Sequence, residues 1–244
     1  MDTENLGQHI SKQFNQDLEN IREEVLAMGG LVEEQLKKAL EAFSQHDAAL
    51  ANEVIDNDER VNQLEMSIDE DCIKILAKRQ PAASDLRLVS SVLKAITDLE
   101  RVGDEAEKIA RMAIEIAESK SKATFSGELP YSALQNLGNV VKTMLHEALD
   151  AFARMDTDAA IEVAKKDKNA DDEYDAISRQ LMTYMMEEPR SISKVLDFLW
   201  AARALERIGD HANNICEYIV YLVQGQDVRH LTWDEIHRLV KSRN

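Results

Sequence analysis

The sequence predicts an all-α protein built from two tandem, internally duplicated three-helix bundles with a pseudo-twofold relation. Three observations predict it. Only 8 glycines and 3 prolines occur among 244 residues, and residues that favour helices, such as Ala, Leu, Glu and Lys, are abundant. Apolar residues recur with a helical period from about residue 10 to residue 223. Short strings of the first half also return in the second half at a nearly constant offset.

Short breaks divide the helical pattern into two stretches of three helices each. They fall near residues 45–47, 80–83, 119–130, 155–157 and 188–191, and three of them contain proline, which suits the first turn of a helix. The string SKSKATFSGELP is the best linker candidate. We therefore expect a first bundle over residues 1–118, a linker over 119–130, a second bundle over 131–225 and a C-terminal tail over 226–244.

The two halves match in letters as well as in pattern. ALEAF (39–43) and ALDAF (148–152) give an offset of 149 − 40 = 109. LERVGD (99–104) and LERIGD (205–210) give 206 − 100 = 106, so the connection before the third helix is three residues shorter in the second copy. An offset kept over such a length predicts duplication of one three-helix unit. The tail has no counterpart, and its short amphipathic pattern around Trp233 either packs back on the bundle or joins a partner interface.

The chain is strongly acidic, with a formal net charge of −17. Such a surface repels nucleic-acid phosphates and anionic lipids, so we expect no nucleic-acid partner and contact with membranes only through other proteins. The sequence contains no apolar run of membrane-spanning length, and its acidic start is unlike a signal peptide, which predicts a cytoplasmic protein. Cys72 and Cys216 lie in apolar patterns and are expected to be buried, reduced thiols.

The acids of the repeated string continue an apolar stripe instead of a solvated face. On a helical wheel, the apolar residues upstream of Glu100 lie within roughly 40° of it, and Asp104 falls about 40° away. Glu206 and Asp210 repeat this arrangement in the second half. A glycine beside each acid pair leaves room for a neighbouring helix or for a bound species.

Matching acids lie on the second helix of each unit. Clustered carboxylates on a half-buried face need cations, because unpaired buried charge is very costly. An oxygen-rich set favours hard cations such as Mg, Mn, Fe or Ca over a structural zinc site. We therefore predict metal ligation by Glu100, Asp104, Glu206 and Asp210, with Asp58, Asn62, Asp167 and Asp171 as further candidates.

Catalytic motifs are missing from the chain. There is no Glu-x-x-His pair of the di-iron bundles, no phosphate-binding glycine loop and no nucleophile–base pair. His211 follows Asp210, but the matching residue of the first half is Glu105, so we expect a surface histidine or one that only supports a ligand. A non-enzymatic protein is therefore expected. Two alternatives stay open: a carboxylate-bound metalloenzyme, and a structural helical module whose acids form a solvated rim.

The doubled LER[VI]GD string, with HANNI (211–215) after the second copy and PAASDLR (81–87) before the third helix, resembles the PhoU family of bacterial phosphate-signalling proteins. The resemblance covers roughly residues 10–225. It implies metal ions or multinuclear metal clusters, often of iron or zinc, held by the E-x-x-x-D motifs, beside the Mn or Mg that the ligand chemistry also allows. The segment matching PAASDLR in the second half, EPRSISK (188–194), lacks the equivalent of Asp85, which predicts that the two sites differ.

The resemblance also implies a function and partners. Proteins of this family are negative regulators of the phosphate-starvation response that modulate phosphate uptake. They are thought to link the ATPase subunit of the phosphate ABC transporter to a phosphate-sensing histidine kinase, and homodimers are common among them. These expectations come from the resemblance and not from composition or spacing.

Overall fold

The computed structural model describes residues 12–118 and 129–241, which form helices and contain no strand. Most of the predicted linker, residues 119–128, lies outside these described residues. The first unit contains α1 (Lys12–Gln45), α2 (Ala48–Arg79) and α3 (Ala83–Glu118), and the second contains α4 (Tyr131–Arg154), α5 (Thr157–Ala164), α6 (Asp167–Glu187) and α7 (Ile192–Gln224), followed by α8 (Trp233–Lys241). A 3-10 turn, Pro189–Ser191, precedes α7. The described helices include none that could span a membrane.

The corner between the first two helices of each unit is built in the same way. His46 ends the first helix with a φ of 56°, and Met155, its equivalent, has a φ of 53°. Asp47 then caps α2 by accepting hydrogen bonds from two backbone amides, at 2.9 and 3.0 Å. Asp156 caps α5 with one such bond of 3.0 Å. A left-handed residue followed by an acidic N-cap reverses the chain without loss of hydrogen bonds at the helix end.

The second unit departs from the predicted single helix after this corner. The structure has two helices, α5 and α6, separated at Lys165 and Lys166. The amide of Lys166 bonds to the carbonyl of Val163, three residues earlier, so the turn tightens and the regular ladder is interrupted. The Lys166 ammonium pairs with Glu147 on α4, which holds the interrupted turn against the bundle.

Helices α1 and α4 pack on each other with a local twofold symmetry. A Cβ on Gly29 would lie 2.7 Å from Leu149, and a Cβ on Gly138 would lie 2.8 Å from Leu40. Both the glycines and the leucines are separated by 109 positions, the offset of the duplication. Each leucine thus packs into the space that a glycine leaves on the opposite helix. The two helices are therefore closely packed at both ends of their contact.

Helices α3 and α7 form the most extensive contact between the two units, and a buried polar cluster lies in it. The carboxylate of Asp98 accepts hydrogen bonds from Asn214 (3.1 Å) and Tyr218 (2.6 Å), and His211 Nδ1 lies 2.7 Å from it. Burial pushes the Asp98 pKa upward, but the hydrogen bonds from His211, Tyr218 and Asn214 outweigh it and leave the pKa below its ordinary value. His211 is buried. A surface position for this histidine is therefore wrong, because its ring is turned towards α3.

The C-terminal tail packs back on the second unit, the simpler of the two expectations. Ile236 and Val240 of α8 are fully buried in a small cluster with Ile161 and Val220. The two cysteines are free and buried, as the sequence predicted.

Candidate metal site

Four acids of the second unit converge between α6 and α7, and we call them the second acidic site: Asp167, Asp171, Glu206 and Asp210. One carboxylate oxygen from each of Asp167, Asp171 and Asp210 lies within 4.8 Å of the others. Within residues 12–118 and 129–241, this is the only such group of acids, histidines or cysteines. The sequence pattern therefore predicted side chains that the fold does bring together.

Mutual repulsion and burial mark the electrostatics of this site. Burial, followed by the charges of Asp171, Asp210 and Glu206, raises the pKa of Asp167 to about 7. The pKa of Glu206 is raised by burial and by Asp210, and that of Asp210 by burial and by Asp171. Carboxylates in such a setting gain stability from an added positive charge.

One arginine, which the sequence reasoning missed, lies beside the site. Arg203 donates to Oε1 of Glu206 at 2.7 Å, and its guanidinium lies over the ring of Tyr174 at 5.5 Å from the centroid. The other carboxylate oxygen of Glu206, Oε2, is buried and has no hydrogen-bond partner. Arg203 thus satisfies one oxygen of Glu206. Burial and the charge of Asp171 keep the pKa of Asp210 raised, although the charges of Arg203 and Arg207 oppose that shift.

The matching residues of the first unit lie between α2 and α3, and we call them the first acidic site: Asp58, Asn62, Glu100 and Asp104. Here the protein itself provides hydrogen-bond donors. Gln35 on α1 donates to Oδ1 of Asp58 at 2.8 Å, and Asn62 donates to Oδ2 of Asp58 at 3.2 Å. The Asp58 residue is only 7% exposed, so these two bonds replace the water that it lacks.

The acids of the repeated string are again destabilised in their charged form. Burial and then the charge of Asp104 raise the pKa of Glu100, and burial and then the charge of Asp58 raise the pKa of Asp104. Two amide oxygens at this site, Oε1 of Gln35 and Oδ1 of Asn62, are buried and have no hydrogen-bond partner. Buried amide oxygens beside one buried and two half-buried carboxylates are the kind of oxygen ligands that a hard cation prefers.

The glycines of the two motifs differ in how tightly they are packed. A Cβ on Gly103 would lie 3.0 Å from Oδ1 of Asp58 and 3.5 Å from Oε1 of Gln35, whereas a Cβ on Gly209 would meet nothing nearer than 3.6 Å, at Asp167. The glycine of the first motif therefore makes space for a neighbouring helix, as one of the two sequence interpretations held. The glycine of the second motif has room to spare.

Two site features were not found from the sequence. Gln35 interrupts the apolar stripe of α1, the same signal that singled out Glu100, and its equivalent in the second unit is Met144. Asp85, which was expected to distinguish the sites, lies in the first turn of α3. That is fifteen residues, or about 22 Å of helix, before Glu100. The sites thus differ at Gln35 and Met144 on the first helix of each unit, and at Asn62 and Asp171 on α2 and α6, and not through Asp85.

The residues present fit a bound hard cation. Every donor that converges at the second acidic site is a carboxylate oxygen, and no described cysteine or histidine joins the group, so the set suits Mg, Mn, Fe or Ca better than a structural Zn. Such a cation would neutralise the repelling acids and tie α6 to α7. At the first acidic site it would tie α2 to α3. Ligation by these eight side chains stays a prediction.

Comparison with known proteins places these observations in one family. The PhoU domain matches residues 25–113 and 134–219, one copy in each unit. The chain is 54% identical over 230 residues to a phosphate-specific transport system accessory protein PhoU homolog of Pseudomonas putida, covering 93% of this chain and 87% of that protein. It is 50% identical over 244 residues to the phosphate-specific transport system accessory protein PhoU of Escherichia coli (strain K12), covering 100% of this chain and 99% of that protein.

Solved structures agree with the sequence comparison. PhoU from Pseudomonas aeruginosa superimposes with a TM-score of 0.81 at 52% identity, covering 87% of this chain and 100% of that one. The phosphate transport system regulatory protein PhoU from Streptococcus pneumoniae gives a TM-score of 0.80 at 33% identity, covering 88% and 99%. The all-α fold with two copies of one domain is thereby confirmed, and the chain belongs to the PhoU family, whose members are phosphate-transport accessory proteins and not enzymes.

Proposed function

We propose that the protein is a cytoplasmic negative regulator of the phosphate-starvation response. It couples the ATPase subunit of the phosphate ABC transporter to a phosphate-sensing histidine kinase, modulates phosphate uptake, and works as a homodimer with metal bound at its acidic sites. The relatives support the phosphate-transport part, because they are named as accessory proteins of that transport system. The observation that carries the adaptor role is an exposed apolar surface on the second unit.

This surface, the α6–α7 face, contains large apolar side chains that water reaches freely. Their exposed fractions run from 36% to 83%, and they are Met182, Met186, Ile192, Leu196 and Trp200. The contact of Arg203 with Tyr174 shows which residues of the two antiparallel helices lie opposite one another. In this register the two methionines lie beside the first turns of α7, which carry Ile192 and Leu196. An apolar patch on the order of 500 Å² is at the upper end for a monomer and is typical of a protein-binding surface.

The duplicated unit makes this face informative. Three of the five side chains replace smaller or more polar residues of the first unit: Met186 replaces Ala77, Leu196 replaces Ser90, and Trp200 replaces Lys94. Packing of the bundle does not need these large side chains, since the first unit folds without them. We infer that the α6–α7 face docks on the transporter ATPase subunit, and flexible methionines suit such a contact.

Binding measurements with the purified ATPase subunit test this proposal. Met186→Lys combined with Trp200→Lys should weaken binding at least tenfold, because two lysines would be buried in an apolar contact. Met66→Lys is the matched control, since Met66 is 59% exposed on the first unit. Equal affinity of the double variant and the wild type would exclude this face. Failure of the wild type to bind either the ATPase subunit or the kinase at high phosphate would overturn the adaptor role itself.

A further inference from the structure

The local symmetry of the α1–α4 contact extends to a pair of polar residues at one end. His146 on α4 has its Nδ1 atom 2.8 Å from Oε1 of Glu33 on α1. Because the helices are antiparallel and duplicated, the symmetry-related pair must be residues 33 + 109 = 142 and 146 − 109 = 37. These are Lys142 and Lys37. An acid and a base meet at one end of the contact, therefore, whereas the matching positions at the other end are both lysines and line one cavity.

The two lysines lie at a cavity and not at a closed contact. The cavity has a volume of about 240 Å³ and lies between the C-terminal half of α1 and the first three turns of α4. Leu40, Phe43 and Leu134 form its apolar part, and Gln135 and Asn139 bring amide groups to its wall. The space is large enough for a small polar molecule with a short carbon body.

The lining of this cavity is positively charged, although the chain as a whole is acidic. Its lining contains Lys37, Lys142 and one carboxylate, Glu41, which gives a local charge of +1 in a protein of formal charge −17. The Glu41 carboxylate accepts a hydrogen bond from Gln45 at 3.1 Å, and Lys37 has Glu34 of its own helix at 3.5 Å. Neither carboxylate joins the two ammonium groups across the gap. Facing like charges repel unless an anion lies between them.

We propose that this cavity binds a small phosphate-bearing anion, either inorganic phosphate or a short phosphate monoester. Lysine ammonium groups are common phosphate ligands, and the amides of Gln135 and Asn139 would donate to the remaining oxygens. The apolar part of the cavity would accept the carbon body of an ester. This site is separate from both acidic sites and from the α6–α7 face, so it stands or falls independently of the adaptor role.

The decisive variant is Lys142→Glu, which rebuilds at this end the acid–base pair that Glu33 and His146 form at the other. Without phosphate it should raise the melting temperature, because a repelling pair becomes an attracting one. It should also weaken phosphate binding, measured by calorimetry, at least tenfold. Lys241→Glu is the control: it makes the same charge change on an exposed position of α8 and should leave phosphate binding within twofold of the wild type.

The titrations use the full chain at constant ionic strength, with inorganic phosphate, glycerol phosphate and succinate in separate arms. Tighter binding of glycerol phosphate than of phosphate assigns the site to an ester, and the reverse assigns it to the free ion. The proposal is overturned if the wild type binds neither phosphate compound, if succinate binds as tightly, or if both lysine variants lose binding equally. Binding that a chelator abolishes would belong to metal at the acidic sites, which also overturns it.

Discussion

The first and second acidic sites carry the same E-x-x-x-D motif, but they differ in how the protein surrounds the aspartate that packs beside it, Asp58 in the first site and Asp167 in the second. In the first, Asp58 is fixed by hydrogen bonds from Gln35 and Asn62. In the second, Met144 and Asp171 occupy the positions of Gln35 and Asn62, so both donors are lost and a further negative charge is added. Burial, and after it the charge of Asp171, raises the pKa of Asp167, the equivalent of Asp58, to about 7.

The difference shows that a motif alone does not define a site. Without metal, two side-chain amides hold Asp58 at the first site, whereas at the second site Arg203 bonds to Glu206 and the equivalents of Gln35 and Asn62 cannot donate to Asp167. A cation at the second site therefore removes more repulsion than one at the first, although the amide oxygens of the first add neutral ligands. The comparison predicts tighter and more stabilising metal binding at the second site, and the following changes test it.

Loss of a second-site ligand should have the largest effect. Asp210→Asn should weaken binding of Mn²⁺ by at least about 10–100-fold, since loss of even outer groups around a metal costs that much. Asp104→Asn should leave the tighter of two binding steps unchanged, as followed by calorimetry on protein treated with chelator. If Asp104→Asn removes the tighter step instead, the order of the two sites is reversed.

The next largest effect is expected from exchanging Gln35 and Met144, the equivalent residues that the first helix of each unit brings to its acidic site. Gln35→Met leaves the buried Asp58 carboxylate without its donor, which costs on the order of 1–3 kcal/mol of unfolding free energy. Met144→Gln offers Asp167 a donor and should lower its pKa from about 7. Urea unfolding of protein freed of metal by a chelator measures the change in unfolding free energy. An NMR titration of the carboxyl groups measures the change in the pKa of Asp167. Equal stability of Gln35→Met and wild type would show that the Gln35 bond contributes nothing.

The pH dependence of chelated protein separates the sites further. The pKa of Asp167 is raised by folding, so the folded state binds more protons than the unfolded state between about pH 4 and pH 7. Stability should therefore increase as the pH falls from 7 towards 4, because the repelling acids become neutral. Asp167→Asn should flatten this part of the profile and raise stability at pH 8. If the stability of the wild type instead decreased steadily as the pH falls from 7 towards 4, the raised pKa of Asp167 would be contradicted.

The smallest effect concerns the two glycines. Gly209→Ala should stabilise α7 by about 0.5–1 kcal/mol, the usual gain in a helix interior, because its Cβ would make only ordinary contacts. Gly103→Ala should destabilise by roughly 1 kcal/mol, because its Cβ would press on the fixed oxygen of Asp58. Thermal unfolding of the two variants measures the opposite signs. If Gly103→Ala also stabilised the protein, the Asp58 side chain would be able to move away from the added Cβ without loss of stability.

Helix periodicity and internal repetition were enough to predict the fold, because long helices and two near-identical strings leave few arrangements open. The same wheel placed Glu206 and Asp210 on an inward face. The structure brings Asp210 to Asp167 and Asp171, but it leaves Asp210 exposed and Glu206 half-buried, so the inward placement is wrong for Asp210. The break at Lys166 was missed, because an ion pair with a distant glutamate leaves no periodic signal. The burial of His211 was missed for the same reason: its partner, Asp98, comes from the other unit.

The residue after each second motif acid reaches across to the other unit. Glu105 follows Asp104 and pairs with Arg207 of α7 at 2.8 Å, and His211 follows Asp210 and meets Asp98 of α3. Neighbouring positions on a helix turn together, since the backbone between them is rigid. A rotation of α7 that opened the second acidic site would therefore also stretch the contacts of Arg207 and His211 with α3. The same turns of α3 and α7 therefore carry both the acidic sites and the ion pairs between the units, so a change at either site is expected to reach the α3–α7 contact.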